Sequence, residues 1–483
     1  MRPRTTMSCC AVLLLAVTGC QSEGGSQDRP ADARPSPGRA SDDPAPGDFN
    51  GDGYDDLVDV VDSRSKDGGR QAQTLVVVSG SRQGLNTAWV KRVRMPAGQI
   101  LLSGPLRADL DGDGFTDLVG SRGKGLADAR TFALFGGARG LGAPRLLDLP
   151  PGFRPLAAAD FDGDGSVDLL DGGRGGTGSP SATGPATGGS LRYGPFDRAG
   201  TARRDARLDL GQDGYASPNA AVTGDFDGDG RAEAVLTYSF DAEEDESAPD
   251  GLHAVGLYEG GGQGLVRDTT GLEDRVARIL STQDGPRVPA AGDADGDGTD
   301  DLLLPTRLAV APADMPGTGG ALTILYGAKS GLGTGRAETV IGDDAGDRRR
   351  VDFGSSPAVG DVNGDRRPDV VVNTPDFRRH DGKVTLLPGG GDGVPSAEGE
   401  QSVDTETDGL PGTPNPYHWN AFAHRPPLLD VNGDGHADAV VFGPLYEKRK
   451  GAYLVLRGTD AGFDARKARL FTPDDIGVPL RLR

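Results

Sequence analysis

The chain has 483 residues, a formal charge of −21 and only 5% aromatic residues. No basic patch gathers its Lys and Arg residues to neutralise phosphates, which argues against nucleic acid as a partner. Cys9, Cys10 and Cys20 are its only cysteines, so no disulfide is expected beyond the N-terminal segment.

Residues 1–20 read as a processing segment. Arg2 and Arg4 give it a charged start, and Ala11 to Val17 is an apolar run too short to span a bilayer. Val17-Thr-Gly-Cys20 resembles the box of bacterial lipoproteins, which implies lipidation of Cys20 and display on the outer face of a bacterial cell membrane. Ordinary secretion with cleavage nearby is the alternative. Residues 21–46 are rich in Gly, Ser, Pro, Asp and Arg, lack apolar periodicity and read as a flexible tether.

From residue 47 to 483 one acidic phrase recurs seven times, 51 to 69 residues apart, which is the mark of a repeat architecture. Oxygen-bearing side chains stand at positions 1, 3, 5 and 9 of each copy. They are Asp48, Asn50, Asp52 and Asp56; Asp109, Asp111, Asp113 and Asp117; Asp160, Asp162, Asp164 and Asp168. The later copies supply Asp225, Asp227, Asp229 and Glu233; Asp293, Asp295, Asp297 and Asp301; Asp361, Asn363, Asp365 and Asp369; Asp430, Asn432, Asp434 and Asp438. Oxygens at alternate positions followed by Gly at position 6 are what a hard cation needs, because the chain must wrap the ion and turn sharply. An EF-hand would place Glu at position 12, and no copy has one. Calcium is expected over magnesium, which keeps its waters, and zinc is not expected because neither His nor Cys joins the clusters. The sixth copy is the weakest, with Arg366 in place of the Gly and Asn363 in place of an Asp. His436 stands at position 7 of the seventh, where only its backbone is expected to act.

Each loop is followed by a short apolar run such as Leu302-Leu-Leu304 or Val370-Val-Val372, which reads as a buried strand rather than an exit helix. Farther on comes a second apolar run that ends in Gly, as in Thr131-Phe-Ala-Leu-Phe-Gly136 and Leu322-Thr-Ile-Leu-Tyr-Gly327, then turn residues and another short run. Each unit is therefore expected to be a four-stranded antiparallel sheet. Seven of them predict an all-β, seven-bladed β-propeller. The repeated loops, with phrases such as Leu325-Tyr-Gly-Ala-Lys-Ser-Gly-Leu332, resemble FG-GAP (VCBS-type) repeat proteins, the propeller at the head of integrin α subunits. With a loop in all seven repeats the chain looks more like the bacterial members. That resemblance implies up to seven structural calcium ions. Both Pro44-Ala-Pro-Gly-Asp48 and Gly477-Val-Pro-Leu-Arg-Leu-Arg483 look like a first strand, so which of them completes blade 1, or whether the two pair side by side, stays open.

In an up-and-down blade the 1–2 and 3–4 turns share one face, and the 2–3 turns and blade-to-blade links share the other. The cation loops and Gly-rich hairpins then lie together. The long insertions at 172–189, 241–251, 305–320, 373–382 and 404–427 lie opposite, where partner recognition is expected. The densest aromatic stretch, Pro416 to His424, offers Tyr417, His418, Trp419 and Phe422 as ligand contacts, with channel cover or core packing as the alternative role. Arg378 and His380 in the 373–382 insertion are further candidates. Gly173-x-Gly175-x-x-Gly178 lacks the strand-to-helix context of a dinucleotide site, and no catalytic motif appears. The expected function is a lipid-anchored, calcium-binding adhesion module for an extracellular glycan or protein. The alternatives are a propeller-scaffold polysaccharide lyase or hydrolase, and a structural envelope spacer.

Overall fold

The computed structural model describes residues 45–64, 71–172, 189–208, 217–239, 255–268, 271–273, 276, 289–307, 320–342, 353–391, 393–424 and 427–480. The leader with Cys20, the tether up to residue 44, His253, and most of the 172–189, 241–251 and 305–320 insertions lie outside them.

Seven antiparallel sheets follow one another along the chain, each with its strands in sequence order. Blade 2 is typical: Ile100–Ala108, Asp117–Gly123, Arg130–Leu134 and Arg145–Leu146. The first strand ends where the acidic loop begins, and the loop's position-9 acid opens the second strand. The same arrangement holds in blades 3 to 6; in blade 7 the first strand is Ala423–His424 and the second, Ala439–Gly443, opens one residue after the position-9 acid. The fold is the expected seven-bladed propeller.

Blade 1 departs from the expected count. Among the described residues it has three strands, Leu57–Arg64, Gln71–Val78 and Val90–Arg94, and the first of them is an edge. Neither candidate terminal segment is a strand in it among those residues. In the N-terminal one, the Gly47 carbonyl accepts from Asp56 N at 2.8 Å and Asp48 anchors the loop. The C-terminal one packs instead of pairing: Ile476 and Val478 are buried with Leu57 and Val76 of blade 1 and Tyr453 and Val455 of blade 7. Pro473 and Gly477 hold this segment in turns, and Arg92 Nε donates to the Ile476 carbonyl at 2.5 Å.

Among the described residues the core consists of seven hydrophobic clusters, and each joins two neighbouring blades. Phe49, Leu75 and Val93 of blade 1 meet Leu118, Phe132 and Leu134 of blade 2. Equivalent clusters join blades 2 and 3, 3 and 4, 4 and 5, 5 and 6, and 6 and 7. The seventh, holding Ile476, joins blade 7 to blade 1 and closes the ring. Strand residues alternate between the two clusters that flank their blade: Leu75 and Val77 face blade 2, Val76 and Val78 face blade 7. A sheet buried on both faces explains the unbroken apolar runs in the sequence.

Candidate functional site

Each acidic phrase folds as one compact loop around its position-1 carboxylate. In blade 1, Asp48 Oδ1 accepts from the amides of Asn50, Gly51 and Asp52, and Oδ2 accepts from Gly53 N at 2.7 Å. The bond from the position-6 amide recurs in all seven copies at 2.7–3.0 Å. Position 6 is left-handed, as Gly permits, and Arg366 takes that conformation in blade 6 with φ 67°.

The position-9 acid has a second duty. Its carboxylate accepts from the amide of the Gly that ends the third strand: Gly80, Gly136, Gly194, Gly260, Gly327, Gly389 and Gly458, at 2.6–3.4 Å. In blades 2 to 6 the other oxygen accepts from the position-2 amide at 2.8–3.2 Å. The position-2 residues (Phe49, Leu110, Phe161, Phe226, Ala294, Val362 and Val431) are all buried. A Cβ on any of the seven glycines would lie under 3.0 Å from the carbonyl oxygen at position 8. These glycines are required by close approach, whereas the sequence suggested only a turn.

The loops also bond to one another around the ring. The position-8 amides of Asp55, Ala232, Asp300 and Ala437 donate to the position-1 carbonyls of Asp430, Asp160, Asp225 and Asp361 in the preceding blade, at 2.7–3.0 Å. Asp55 Oδ2 accepts the Asp430 amide in return, and Asp300 Oδ2 accepts that of Asp225. The position-7 side chain lies across the position-4 Gly of the preceding loop in four cases: Arg231 on Gly163, Thr299 on Gly228, His436 on Gly364 and Tyr54 on Gly433. For His436 this corrects the expectation of a backbone-only role, since its ring packs there and Nε2 pairs with Asp460 at 3.0 Å. These contacts brace a seam between neighbouring blades on the face of the loops.

Charge is concentrated in this seam. In blades 2 and 3 the position-1, -3 and -9 acids bring one oxygen each within 4.8 Å of the others; in blades 4 and 5 the position-1, -3 and -5 acids do so. Glu259, which sequence reasoning did not single out, joins Asp227 and Glu233 in blade 4. Burial raises the position-9 carboxyls well above their usual range, to about 8 at Asp56 and Glu233 and about 7 at Asp117, Asp168, Asp301 and Asp438. The amide bonds from the strand-end glycines pull the other way without cancelling it. Asp369 shifts in the same direction.

Arginines cap several loops from outside. Arg198 bridges Asp111 and Asp113 at 2.5 Å, Arg203 bridges Asp162 and Asp164, Arg336 meets Asp295 at 2.9 Å, and Arg457 meets Asp438 at 3.0 Å. They do not saturate the inner oxygens. Asp111 Oδ1, Asp162 Oδ1 and Asn432 Oδ1, all at position 3, are buried with no hydrogen-bond partner. An all-oxygen set with an unpartnered buried oxygen fits a hard cation.

On the opposite face the structure brings two of the insertions together. The 2–3 turn of blade 6 holds a short helical turn, Phe377–His380, with left-handed residues inside it. The link from blade 6 to blade 7 returns beside it: Ala421 N donates to the His380 carbonyl at 2.9 Å, and Phe422 N to that of Asp381 at 2.7 Å. At its other end the link is tied to blade 7, where Thr413 N donates to Glu447 Oε1 at 2.6 Å. Asp381, the last residue of the mixed-charge stretch Asp376–Asp381, is buried at the centre rather than solvated. Its Oδ2 meets His418 Nδ1 at 2.5 Å and its Oδ1 accepts from Asn420 Nδ2 at 2.8 Å. The His380 ring lies 4.2 Å from that of Trp419. Tyr417 and Trp419 are exposed, and Arg378 pairs with Glu406 and Asp404. Phe422 is a correction: it is fully buried in the cluster joining blades 6 and 7, so its ring serves packing and meets no ligand.

The FG-GAP repeat family model matches residues 353–387, which run from the first strand of blade 6 through its loop to the end of its third strand. No curated protein matches the chain. The matched repeat and the seven-bladed ring together fit an integrin alpha-like FG-GAP propeller.

Proposed function

We propose that the chain is a calcium-braced binding module, with cations in the 1–2 loops locking neighbouring blades and recognition carried by the opposite face. The fold itself suggests a binding module. The observation that carries the calcium reading is the pair of unpartnered oxygens, Asp111 Oδ1 and Asp162 Oδ1, on side chains only 8% and 6% exposed. A buried acceptor left unpaired costs roughly 1–3 kcal/mol, and more when charged. Three of the seven loops hold such an oxygen, Asn432 Oδ1 being the third, and a bound cation would compensate each. Calcium would supply positive charge where the carboxylates converge. The chain's own part is to hold the position-1, -3, -5 and -9 oxygens in place through the backbone bonds described above. The lipoprotein-like segment ending at Cys20 supports an address on the outer face of the cell membrane, and adhesion to an extracellular glycan or protein is the activity that suits such an address.

Incubation of residues 21–483 with a polysaccharide panel and envelope extracts, in calcium and in EDTA, tests this reading. Calcium-dependent depletion of the protein without released fragments is the expected result. Released fragments would favour the second reading, a lyase or hydrolase. The observation on that side is that His418, Asp381 and His380 converge rather than lie scattered.

A further inference from the structure

We propose that the opposite-face cluster is a saccharide-binding site, in which Trp419 stacks on the apolar face of a sugar ring and His418 Nε2 accepts a hydrogen bond from one of its hydroxyls. This rests on the binding-module reading and names the place and the ligand class.

Three observations meet here. The first is a fixed acceptor. Asp381 is 3% exposed, and both its oxygens are engaged, one by His418 Nδ1 and the other by Asn420. A carboxylate on Nδ1 holds the imidazole with its proton on that nitrogen and leaves Nε2 as an acceptor. His418 is about one-third exposed, so the acceptor is accessible.

The second is a stacking surface. Trp419 is 59% exposed, and the His380 ring supports it at 4.2 Å, tilted by 39°. Tyr417, 84% exposed, stands two residues away. An aromatic face beside a fixed polar acceptor matches a pyranose, whose C–H face is apolar and whose edge carries hydroxyls.

The third is backbone conformation. His418 and Trp419 both sit at positive φ, 67° and 64°, an uncommon and costly conformation outside glycine. The surrounding bonds to Asp381 and to the His380 carbonyl hold them there. Strain maintained on the two residues that present the acceptor and the ring is a mark of pre-organisation.

A protein ligand is the less suitable occupant. The other exposed large apolar side chains among the described residues, Leu126, Leu146, Val266 and Val340, are scattered over blades 2, 4 and 5. They form no patch around the cluster approaching the roughly 800 Å² per partner that a stable protein interface buries.

The test is titration of residues 21–483, in calcium, with soluble oligosaccharides built from glucose, galactose, mannose, N-acetylglucosamine or uronic acid, followed by indole fluorescence and calorimetry. The expected result is saturation by at least one of them. Trp419→Ala and His418→Ala should each weaken it by at least about tenfold, and Trp419→Phe, which keeps a stacking face, by no more than about threefold. The melting temperature should stay unchanged for Trp419→Ala, whose side chain is exposed, whereas His418→Ala also strips buried Asp381 of a partner and should lower it, so the Trp419 variants carry the assignment. Saturation that survives both alanine variants overturns this site and leaves the binding-module reading standing. Binding of a protein but of no oligosaccharide overturns the saccharide assignment. Absence of any calcium-dependent binding removes both.

Discussion

The amide of Gly136 donates to Oδ1 of Asp117 at 2.6 Å, tying the end of a third strand to the start of a second. The same pair recurs in every blade. It makes the position-9 acid a hinge-pin between loop and hairpin as well as a candidate ligand, and it leaves the strand-end residue no room for a side chain.

Gly136→Ala should therefore destabilise the propeller by about 1–3 kcal/mol, the usual cost of overpacking a close approach. An added Cβ would press on the Thr116 carbonyl. Gly104→Ala, where nothing lies within 4 Å, is the control and should stay within about 0.5 kcal/mol of wild type. Chemical denaturation of the two variants checks this.

Ring closure rests on side-chain packing. Ile476→Ala should cost about 2–5 kcal/mol, because Ile476 is fully buried between blades 7 and 1. Val340→Ala, half exposed on blade 5, should cost little. If thermal melts show equal effects for both, the C-terminal segment does not close the ring.

Arg366→Gly should stabilise blade 6. Arg366 occupies the left-handed position that Gly takes in the other loops, a conformation costing roughly 1–2 kcal/mol for a residue with a Cβ. Part of that gain is lost to the greater freedom of Gly in the unfolded chain, so a net gain of about 0.5–1 kcal/mol is expected. Denaturant midpoints measure it.

In the calcium-free protein, stability should fall as pH rises. The position-9 carboxyls are raised to about 7 or 8, so the folded state holds protons that the unfolded chain has released. The unfolded state binds fewer protons between about pH 4 and pH 8, and stability declines with pH across that window. Calcium should stabilise more at the upper end, where protons no longer compete with it. Melts at the two ends of the window, with calcium and with EDTA, decide this.

The loops and the propeller were legible in the sequence because their chemistry is local. Asp109, Asp111, Asp113 and Asp117 stand within nine residues, and the same spacing returns seven times. What was not legible depends on residues far apart. Asp381 meets His418 across 37 positions, and no pattern in either segment announces the pair. Phe422 belongs to the same aromatic stretch as Trp419, yet one ring is buried and the other exposed, because the link dives back into blade 7 between them. The packing role of the C-terminal segment escaped for a similar reason: Ile476 and Val478 have the alternation of a strand, but they use it to pack against two blades.

The most direct test of the central claim is the melting temperature of residues 21–483 in calcium and in EDTA, with bound calcium counted by mass spectrometry of the native protein. Several bound ions, and a large drop in melting temperature on chelation that calcium reverses and magnesium does not, are the predicted result. No bound ions and identical melts would contradict it, leaving backbone bonds and arginines alone to hold the loops.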